Sequence, residues 1–235
     1  MTTMDRRLIL IVDDESDLRT MLSSYLDAEG FDVVEAIDGD QALEQIDSTG
    51  PDLVVLDVGL PGMDGFEVLR RVRQVSEVPV IMLTAHAEEV DRIVGLTVGA
   101  DDYVTKPFSP REVIARISAV LRRTTRTVGV ATDEIVKFEG LVVDLARREV
   151  RRDREVVDLS ALEFDLLAAL ASAPGRVFTR EQLMERVWGW DYFGVPRLVD
   201  VHVANLRKAL GDDAVSPRFI GTVRGVGYKF VGPPR

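Results

Sequence analysis

Short apolar runs alternate with longer amphipathic stretches through the first half of the chain. Short continuous apolar runs are typical of strands in a parallel sheet covered on both faces, whereas apolar residues three or four apart are typical of helices. The predicted strands are Leu8–Val12, Phe31–Ala36, Leu53–Leu56, Val78–Leu83 and Tyr103–Val104. A helical pattern follows each strand, so the sequence predicts a doubly wound α/β domain around a five-stranded parallel sheet.

The pattern changes in the second half. Residues 122–134 lose the apolar periodicity and are mostly polar, which predicts a linker. Short strands are predicted within 135–143 and 149–159, helices at Ala161–Ala171, Arg180–Val187 and Leu198–Leu210, and a glycine-rich hairpin at Phe219–Val231. This order predicts an α+β winged helix-turn-helix domain over residues 135–235, after the α/β domain over residues 1–121.

The composition is that of a folded globular chain, with 46% hydrophobic and 29% charged residues. This balance excludes disordered and collagen-like chains. The absence of cysteine excludes disulfides and thiolate catalysis and fits a reducing compartment. Between Arg7 and Asp13 stand only five apolar residues, too few for a signal sequence or for a membrane span of about 20 residues. We therefore expect a cytoplasmic protein that does not contact a membrane.

The formal charge of −11 hides two halves of opposite sign. Residues 1–121 hold 24 Asp and Glu against 10 Lys and Arg, a net charge of −14, and residues 122–235 hold 16 against 19, a net charge of +3. Affinity for nucleic acid comes mainly from Lys and Arg, so only the second half is suited to bind it. Within that half, residues 197–235 carry a net charge of +4, from 7 Lys and Arg against 3 Asp and Glu.

Polar residues stand where four of the predicted strands end: Asp13 with Asp14, Asp57, Thr84 and Lys106. The carboxyl ends of parallel strands form the ligand-binding edge of such sheets. Carboxylates held together repel one another, and a hard divalent cation with oxygen ligands neutralises them, so we expect Mg²⁺ if phosphate is also handled. Asp57 ends the most central strand, and a carboxylate can attack phosphorus to give an aspartyl phosphate. Asp57 is the candidate nucleophile.

These residues resemble the receiver domain of bacterial response regulators, which has a flavodoxin-like fold. The resemblance rests on the segments Ile11–Glu15, Asp57, Leu60–Gly65, Thr84–Ala85 and Gly99–Phe108. It implies that Asp57 accepts a phosphoryl group from a sensor histidine kinase, and that Asp13, Asp14 and the Gly59 carbonyl hold Mg²⁺. It also implies that Lys106 contacts the phosphoryl group and that Thr84 and Tyr103 form a switch pair.

Two further sets of residues follow from the same resemblance. Gly59 and His86 flank the path of an attacking water and are expected to tune the lifetime of the phosphoryl group. Charged residues on the fourth and fifth predicted helices and on the fifth strand match positions that pair across a receiver dimer in the OmpR/PhoB family: Arg92, Asp102, Glu112 and Arg116. Phosphorylation is therefore expected to promote a homodimer; the alternative is a solvated charged face.

The helix over residues 197–210 carries the candidate DNA contacts. Val199, Val203, Leu206 and Leu210 are spaced as one buried stripe. The outer face of the helix is expected to enter a major groove. There Asn205 and Val201 would contact bases, and Arg207 and Lys208 would contact phosphates. Arg197 lies on the same outer face, whereas His202 is nearer the buried stripe, where a backbone contact or packing is expected.

The terminal hairpin places Thr222 and Arg224 beside a glycine turn, which suits an arginine that reaches a minor groove. With the segments Val199–His202 and Leu206–Lys208, it resembles the winged helix of the OmpR/PhoB family. Relatives carry basic residues where this chain has Ala204 and Asn205, so the target sequence is not carried over. The resemblance also implies that the loop of residues 188–196 can contact RNA polymerase; the alternative is that its aromatic residues only pack.

The sequence thus predicts a cytoplasmic transcription regulator that is phosphorylated on Asp57 and binds tandem DNA half-sites as a dimer. It is not expected to be an enzyme beyond its own phosphorylation and dephosphorylation. One alternative is a phosphatase of the haloacid dehalogenase type, which usually has a second Asp where Gly59 stands. The other is a regulator that binds DNA unphosphorylated, which the complete set of acidic-site residues disfavours.

Overall fold

The computed structural model describes residues 6–85, 99–125, 135–189, 196 and 198–233. The fourth predicted helix, the residues 126–134 of the predicted linker, the loop 190–195 and the predicted site residues His86, Arg92 and Arg197 lie outside them. Contacts within the chain divide it into two compact units, Met1–Leu121 and Arg122–Arg235. Among the described residues, no helix combines the length and the apolar character needed to cross a membrane.

The first unit is built around a parallel sheet in the order β2-β1-β3-β4-β5. The strands are β1 (Leu8–Val12), β2 (Asp32–Ala36), β3 (Leu53–Asp57), β4 (Val80–Thr84) and β5 (Asp102–Thr105). The helices are α1 (Ser16–Ala28), α2 (Gly39–Thr49), α3 (Gly65–Val72) and α4 (Pro110–Thr125), of which α4 is the fifth predicted helix. The prediction of a doubly wound α/β domain is confirmed.

The apolar strands are explained by a core on each face of the sheet. In β1, Ile9 and Ile11 pack in one cluster with residues of α1 and α4, whereas Leu10 and Val12 pack in the other with residues of α2 and α3. Successive side chains of a strand point to opposite faces, so a strand with helices on both sides needs apolar residues at every position. The β1 and β3 runs therefore carry no alternation.

The second unit contains two antiparallel sheets with three helices. Its elements are β6 (Ile135–Phe138), β7 (Leu141–Asp144), β8 (Glu149–Arg152), β9 (Glu155–Val157), α5 (Ala161–Ala171), β10 (Val177–Thr179), α6 (Arg180–Trp188), α7 (Leu198–Leu210), β11 (Ile220–Val223) and β12 (Gly227–Phe230). The strands β6 to β9 form one sheet, and β10, β12 and β11 form the other. Ser160 and Thr179 each complete a capping box at the start of α5 and α6. This is the predicted winged helix.

One prediction for α7 is wrong. The stripe of Val199, Val203, Leu206 and Leu210 is buried as expected, but Val201 is also buried, with 1% of its surface exposed. Val201 was expected on the outer face. The helix contacts α5 and α6 and so buries a wider arc than the single stripe. Val201 therefore belongs to the core and is not available to a base.

Candidate functional site

The carboxyl edge of the parallel sheet brings the predicted acidic-site residues together. Asp57 and Thr84 are the last residues of β3 and β4, and Asp13 and Lys106 directly follow β1 and β5. Because parallel strands all end at the same edge, residues far apart in sequence meet there. Asp13, Asp57 and Thr84 are buried, with 0%, 5% and 0% of their surfaces exposed.

Lys106 is the central contact of this edge. Its Nζ lies 2.8 Å from Asp57 Oδ1, 2.9 Å from Asp13 Oδ2 and 3.4 Å from Glu15 Oε1. Burial lowers the pKa of this ammonium, but the hydrogen bonds to Asp57 and Asp13 outweigh that effect and raise the pKa above its usual value. The ammonium therefore stays charged and holds two carboxylates that would otherwise repel each other.

For the Asp13 carboxyl, the effects that raise the pKa outweigh those that lower it. Its Oδ1 accepts a hydrogen bond from the Glu15 N–H at 2.9 Å. Burial raises the pKa of Asp13, and the hydrogen bond from Lys106 only partly opposes this, while the nearby charge of Asp57 raises it further. The site thus holds excess negative charge even with Lys106 present, which is the electrostatic condition for binding a cation.

The donor atoms at this edge fit Mg²⁺, which takes oxygen ligands and keeps several waters. The carboxylates of Asp13 and Asp57 both contact the Lys106 ammonium, and Asp14 is exposed next to Asp13. Among the described residues, no group of three acidic or histidine side chains lies close enough together to form a complete metal site. The residues therefore supply suitable donors, and Lys106 bridges the two buried ones.

The Asp57 side chain and backbone are both positioned by glycines. Asp57 Oδ2 accepts a hydrogen bond from the Gly59 N–H at 2.7 Å. At Gly65, the first residue of α3, an added Cβ would overlap the carbonyl oxygen of Asp57. The start of α3, capped by the side chain of Asp64, thus packs directly on the backbone of the phosphoacceptor candidate. Sequence reasoning quoted Gly65 within a motif but missed this steric role.

The two predicted switch residues lie on neighbouring strands. Thr84 ends β4, and Tyr103 of β5 pairs in register with Met82 of β4. The Tyr103 hydroxyl is buried and has no hydrogen-bond partner in the structure as described. Burial, with the charges of Asp101 and Asp102, raises the pKa of this phenol, so it remains neutral. The backbone of Ala100 acts in the opposite direction and lowers the pKa, but burial outweighs it.

Arg19 is a contact that sequence reasoning missed. From α1 it donates through Nη1 to the backbone carbonyl of Asp13 at 2.7 Å and through Nε to Glu35 at 3.1 Å. The guanidinium thereby ties α1 and β2 to the residue that begins the acidic site. An arginine three residues into an amphipathic helix carries no sequence signal for such a role, because the carbonyl that it reaches belongs to the preceding turn.

Three of the residues predicted for a dimer face, Asp102, Glu112 and Arg116, are paired within one chain. Arg116 of α4 lies 3.2 Å from Asp102 Oδ2 and 2.8 Å from Glu112 Oε1. Asp102 is 1% exposed, whereas Glu112 is exposed. An intermolecular pair with Asp102 thus requires Arg116 to exchange its partner.

The predicted DNA-contact residues divide into three groups. Lys208 and Arg224 are exposed, and Asn205 is half-buried. His202 is 2% exposed and its ring is tilted against that of Trp188, with 5.4 Å between ring centroids. The guanidinium of Arg207 donates to the Ile220 carbonyl at 2.6 Å and to Thr222 Oγ1 at 2.8 Å. Arg207 is thus bonded to the hairpin of β11 and β12, the wing of this domain. In the described part of α7, Lys208 is the exposed cation.

Comparison with known sequences agrees with both units. The profile of the response regulator receiver domain matches residues 9–118, and that of the C-terminal domain of transcriptional regulatory proteins matches residues 153–230. The chain is 47% identical over 234 residues to the DNA-binding response regulator MtrA of Mycobacterium tuberculosis, with 100% of both chains covered. It is 46% identical over 224 residues to the sensory transduction protein RegX3 of the same species, covering 95% of this chain and 99% of RegX3.

Solved structures contain the same two folds in the same order along the chain. A RitR mutant matches with a TM-score of 0.74 and 29% identity, covering 95% of this chain and 98% of that one. The response regulator DrrB of Thermotoga maritima, described as an OmpR/PhoB homolog, matches with a TM-score of 0.51 and 34% identity, covering 97% and 100%. The chain therefore belongs to the DNA-binding response regulators of the OmpR/PhoB type, and it is a phosphorylation-activated regulator of transcription.

Proposed function

We propose that Asp57 is the phosphoacceptor and that a sensor histidine kinase is the donor. The observation that carries this proposal is the contact of Asp57 Oδ1 with the Lys106 ammonium at the buried edge of the sheet. In the transfer, a carboxylate oxygen of Asp57 attacks the phosphorus of the phosphohistidine, the N–P bond breaks, and the imidazole nitrogen keeps the electron pair and takes up a proton. Lys106 balances the charge of the transferring group. This chemistry is confined to the protein's own phosphorylation and dephosphorylation.

Asp13, Asp14, Asp57 and the carbonyl of Gly59 are the proposed ligands of Mg²⁺. When bound, the ion neutralises charge on the phosphoryl oxygens. The raised pKa of Asp13 supports the proposal, because a buried carboxylate with excess negative charge nearby gains most from a cation. The Gly59 position, which has no side chain, and His86 are proposed to set the access of water to the aspartyl phosphate.

The switch proposal assigns Thr84 as the hydroxyl that turns towards the phosphoryl group, with Tyr103 filling the space that it leaves. Tyr103 directly follows Asp102 in β5, and Asp102 pairs with Arg116 of α4. Asp102, Glu112 and Arg116, together with Arg92, are proposed to pair across a homodimer, once Arg116 exchanges Asp102 or Glu112 for a residue of the second chain.

The second unit is proposed to read two half-sites about one DNA turn apart, one for each protomer. Asn205 is the candidate for base contact, Lys208 and Arg197 contact phosphates, and Arg224 on the wing reaches the minor groove.

The aromatic loop 188–196 is a candidate contact of RNA polymerase. The domain limits proposed are 1–121, 122–134 for the linker and 135–235, and the site of action is the cytoplasm, where both kinase output and DNA are available.

Incubation of the chain with radiolabelled acetyl phosphate and Mg²⁺ tests the phosphoacceptor. The wild type should incorporate label and sediment as a dimer, whereas Asp57→Asn should do neither. Asp47→Asn, which removes an exposed carboxylate on α2, is the matched control and should behave as the wild type. Label retained by Asp57→Asn would reject the assignment, and many turnovers on small phosphate esters would favour a phosphatase.

A further inference from the structure

One carboxylate in the second unit joins three elements that the sequence keeps apart. Asp200, in the first turn of α7, accepts a hydrogen bond on Oδ1 from Arg180 Nε at 2.7 Å and another on the same oxygen from the Tyr228 hydroxyl at 2.6 Å. Arg180 begins α6, and Tyr228 lies in the wing strand β12. The two helices of the helix-turn-helix and the wing therefore meet at a single oxygen atom.

The network continues from Tyr228 to the other strand of the wing. Its ring lies between cations, 5.3 Å from the Arg180 guanidinium and 5.7 Å from that of Arg207. Arg207 in turn donates to Ile220 and Thr222 of β11. The recognition helix α7 is thus connected to β12 near its N-terminus through Asp200, and to β11 near its C-terminus through Arg207.

The contacts of Asp200 are partly shielded from solvent. Tyr228 is 6% exposed, and the side chains of Arg180 and Asp200 are 26% and 28% exposed. Burial, followed by the hydrogen bond to Asp200, raises the pKa of Tyr228 to about 12, so the phenol is a hydrogen-bond donor throughout the physiological range. Charge-assisted hydrogen bonds of this kind are stronger than neutral ones.

We propose that Asp200 is a positioning residue for DNA recognition, which sets the angle between the recognition helix α7 and the wing. This proposal rests on the proposed function, in which α7 and the wing are the two elements that contact DNA. A major-groove helix and a minor-groove arginine bind one duplex together only if their separation matches that of the two grooves. Asp200 acts through Arg180 and Tyr228 and does not itself contact DNA.

Charge alone predicts the opposite of this proposal. A carboxylate near a DNA-binding face repels phosphates, so its removal should strengthen binding to every duplex. If Asp200 positions α7 and the wing, loss of its hydrogen bonds should weaken binding to a specific site while leaving sequence-independent binding intact. Asp200→Asn and Asp200→Ala separate the two effects, because both remove the charge but only Asn retains an Oδ1 that accepts both bonds.

The test uses the full-length chain and two DNA probes at one fixed salt concentration. The first is a duplex selected from a random pool by the wild type, and the second is the same duplex with its sequence scrambled. Asp200→Ala should bind the selected duplex about tenfold more weakly or worse, with no loss on the scrambled duplex. Asp200→Asn should stay within about threefold of the wild type on the selected duplex, and Glu185→Gln, which removes an exposed charge from α6, should match the wild type.

Tyr228→Phe removes one donor without removing the ring and gives a second measurement. It should weaken selective binding in the same direction, and its effect should not add to that of Asp200→Ala. The proposal is overturned if Asp200→Ala binds the selected duplex as tightly as the wild type, if the Ala and Asn variants behave alike, or if both duplexes are lost in parallel. A wild type that shows no preference for any duplex would instead reject the proposed DNA-contacting elements.

Discussion

The ammonium of Lys106 bridges two buried carboxylates, 2.8 Å from Asp57 Oδ1 and 2.9 Å from Asp13 Oδ2. These three groups sum to a negative charge before any phosphate arrives. A phosphoryl group adds about 1.5 to 2 further negative charges. The bridge therefore balances only part of the charge of the resting site, and a phosphoryl group would add more negative charge than Lys106 alone can balance.

Replacement of Asp13 by Asn should stabilise the chain in the absence of Mg²⁺. Because burial raises the pKa of Asp13 above its ordinary 3.8, the ionised carboxylate is less favourable in the folded chain than in the unfolded one. This penalty is absent below pH 3.8 and grows as the pH rises through the folded pKa. Asp13→Asn should therefore raise the free energy of unfolding at pH 7, because the neutral amide does not carry the cost of a buried charge.

Urea unfolding with EDTA at pH 7 and pH 4 measures this difference, which should shrink at the lower pH. Addition of Mg²⁺ should stabilise the wild type and should have little effect on Asp13→Asn, because a ligand has been lost. A loss of stability in Asp13→Asn at pH 7 would show that the ion pair with Lys106 outweighs burial.

Gly65→Ala should damage the site without touching any charged group. The added Cβ overlaps the Asp57 carbonyl oxygen, so the backbone of β3 must move. A shift of about 1 Å in a reacting group slows transfer by about 100-fold. The initial rate of labelling by acetyl phosphate gives the measurement. Gly30→Ala is the control, since Gly30 has a φ of 87° with open space around it and should lose stability but keep its labelling rate.

Tyr103→Phe should raise the free energy of unfolding by about 1 kcal/mol. The hydroxyl that it removes is buried and has no partner among the described residues, so its removal eliminates a desolvation penalty while the ring continues to pack. Thermal unfolding of the unphosphorylated chain measures the change. Tyr25→Phe, at a side chain 45% exposed, should leave the midpoint unaltered. A destabilised Tyr103→Phe would mean that the hydroxyl is hydrogen-bonded in solution.

Substitutions of Lys208 and Arg207 should have different effects on DNA binding and on stability, although the two residues are adjacent and both basic. Lys208 is exposed, so Lys208→Ala should reduce the slope of log affinity against log salt by about 1 and leave stability unchanged. Arg207→Ala removes the donor to Ile220 and Thr222 and should lower the unfolding midpoint. Equal salt slopes for the wild type and Lys208→Ala would exclude Lys208 as a phosphate contact.

Periodicity predicted the elements well wherever the burial was simple. Ala161–Ala171 and Leu198–Leu210 are helices with the predicted bounds, and β1 coincides with Leu8–Val12. The burial of Val201 could not be predicted from periodicity, because a helical pattern indicates the apolar stripe but not how many other elements surround the helix. The parts of the candidate site that could be predicted are those at strand ends, since a parallel sheet brings every strand end to one edge.

The sequence by itself determined the two fold classes, the acidic edge with Asp13, Asp57 and Lys106, and the basic second half, because these follow from local periodicity, topology and charge. Only the tertiary structure decided which partner each charged group has. Arg19 on the Asp13 carbonyl, Arg116 on Asp102, and Asp200 between Arg180 and Tyr228 are contacts across elements. Such contacts depend on the packing of whole elements, which no local pattern of residues records.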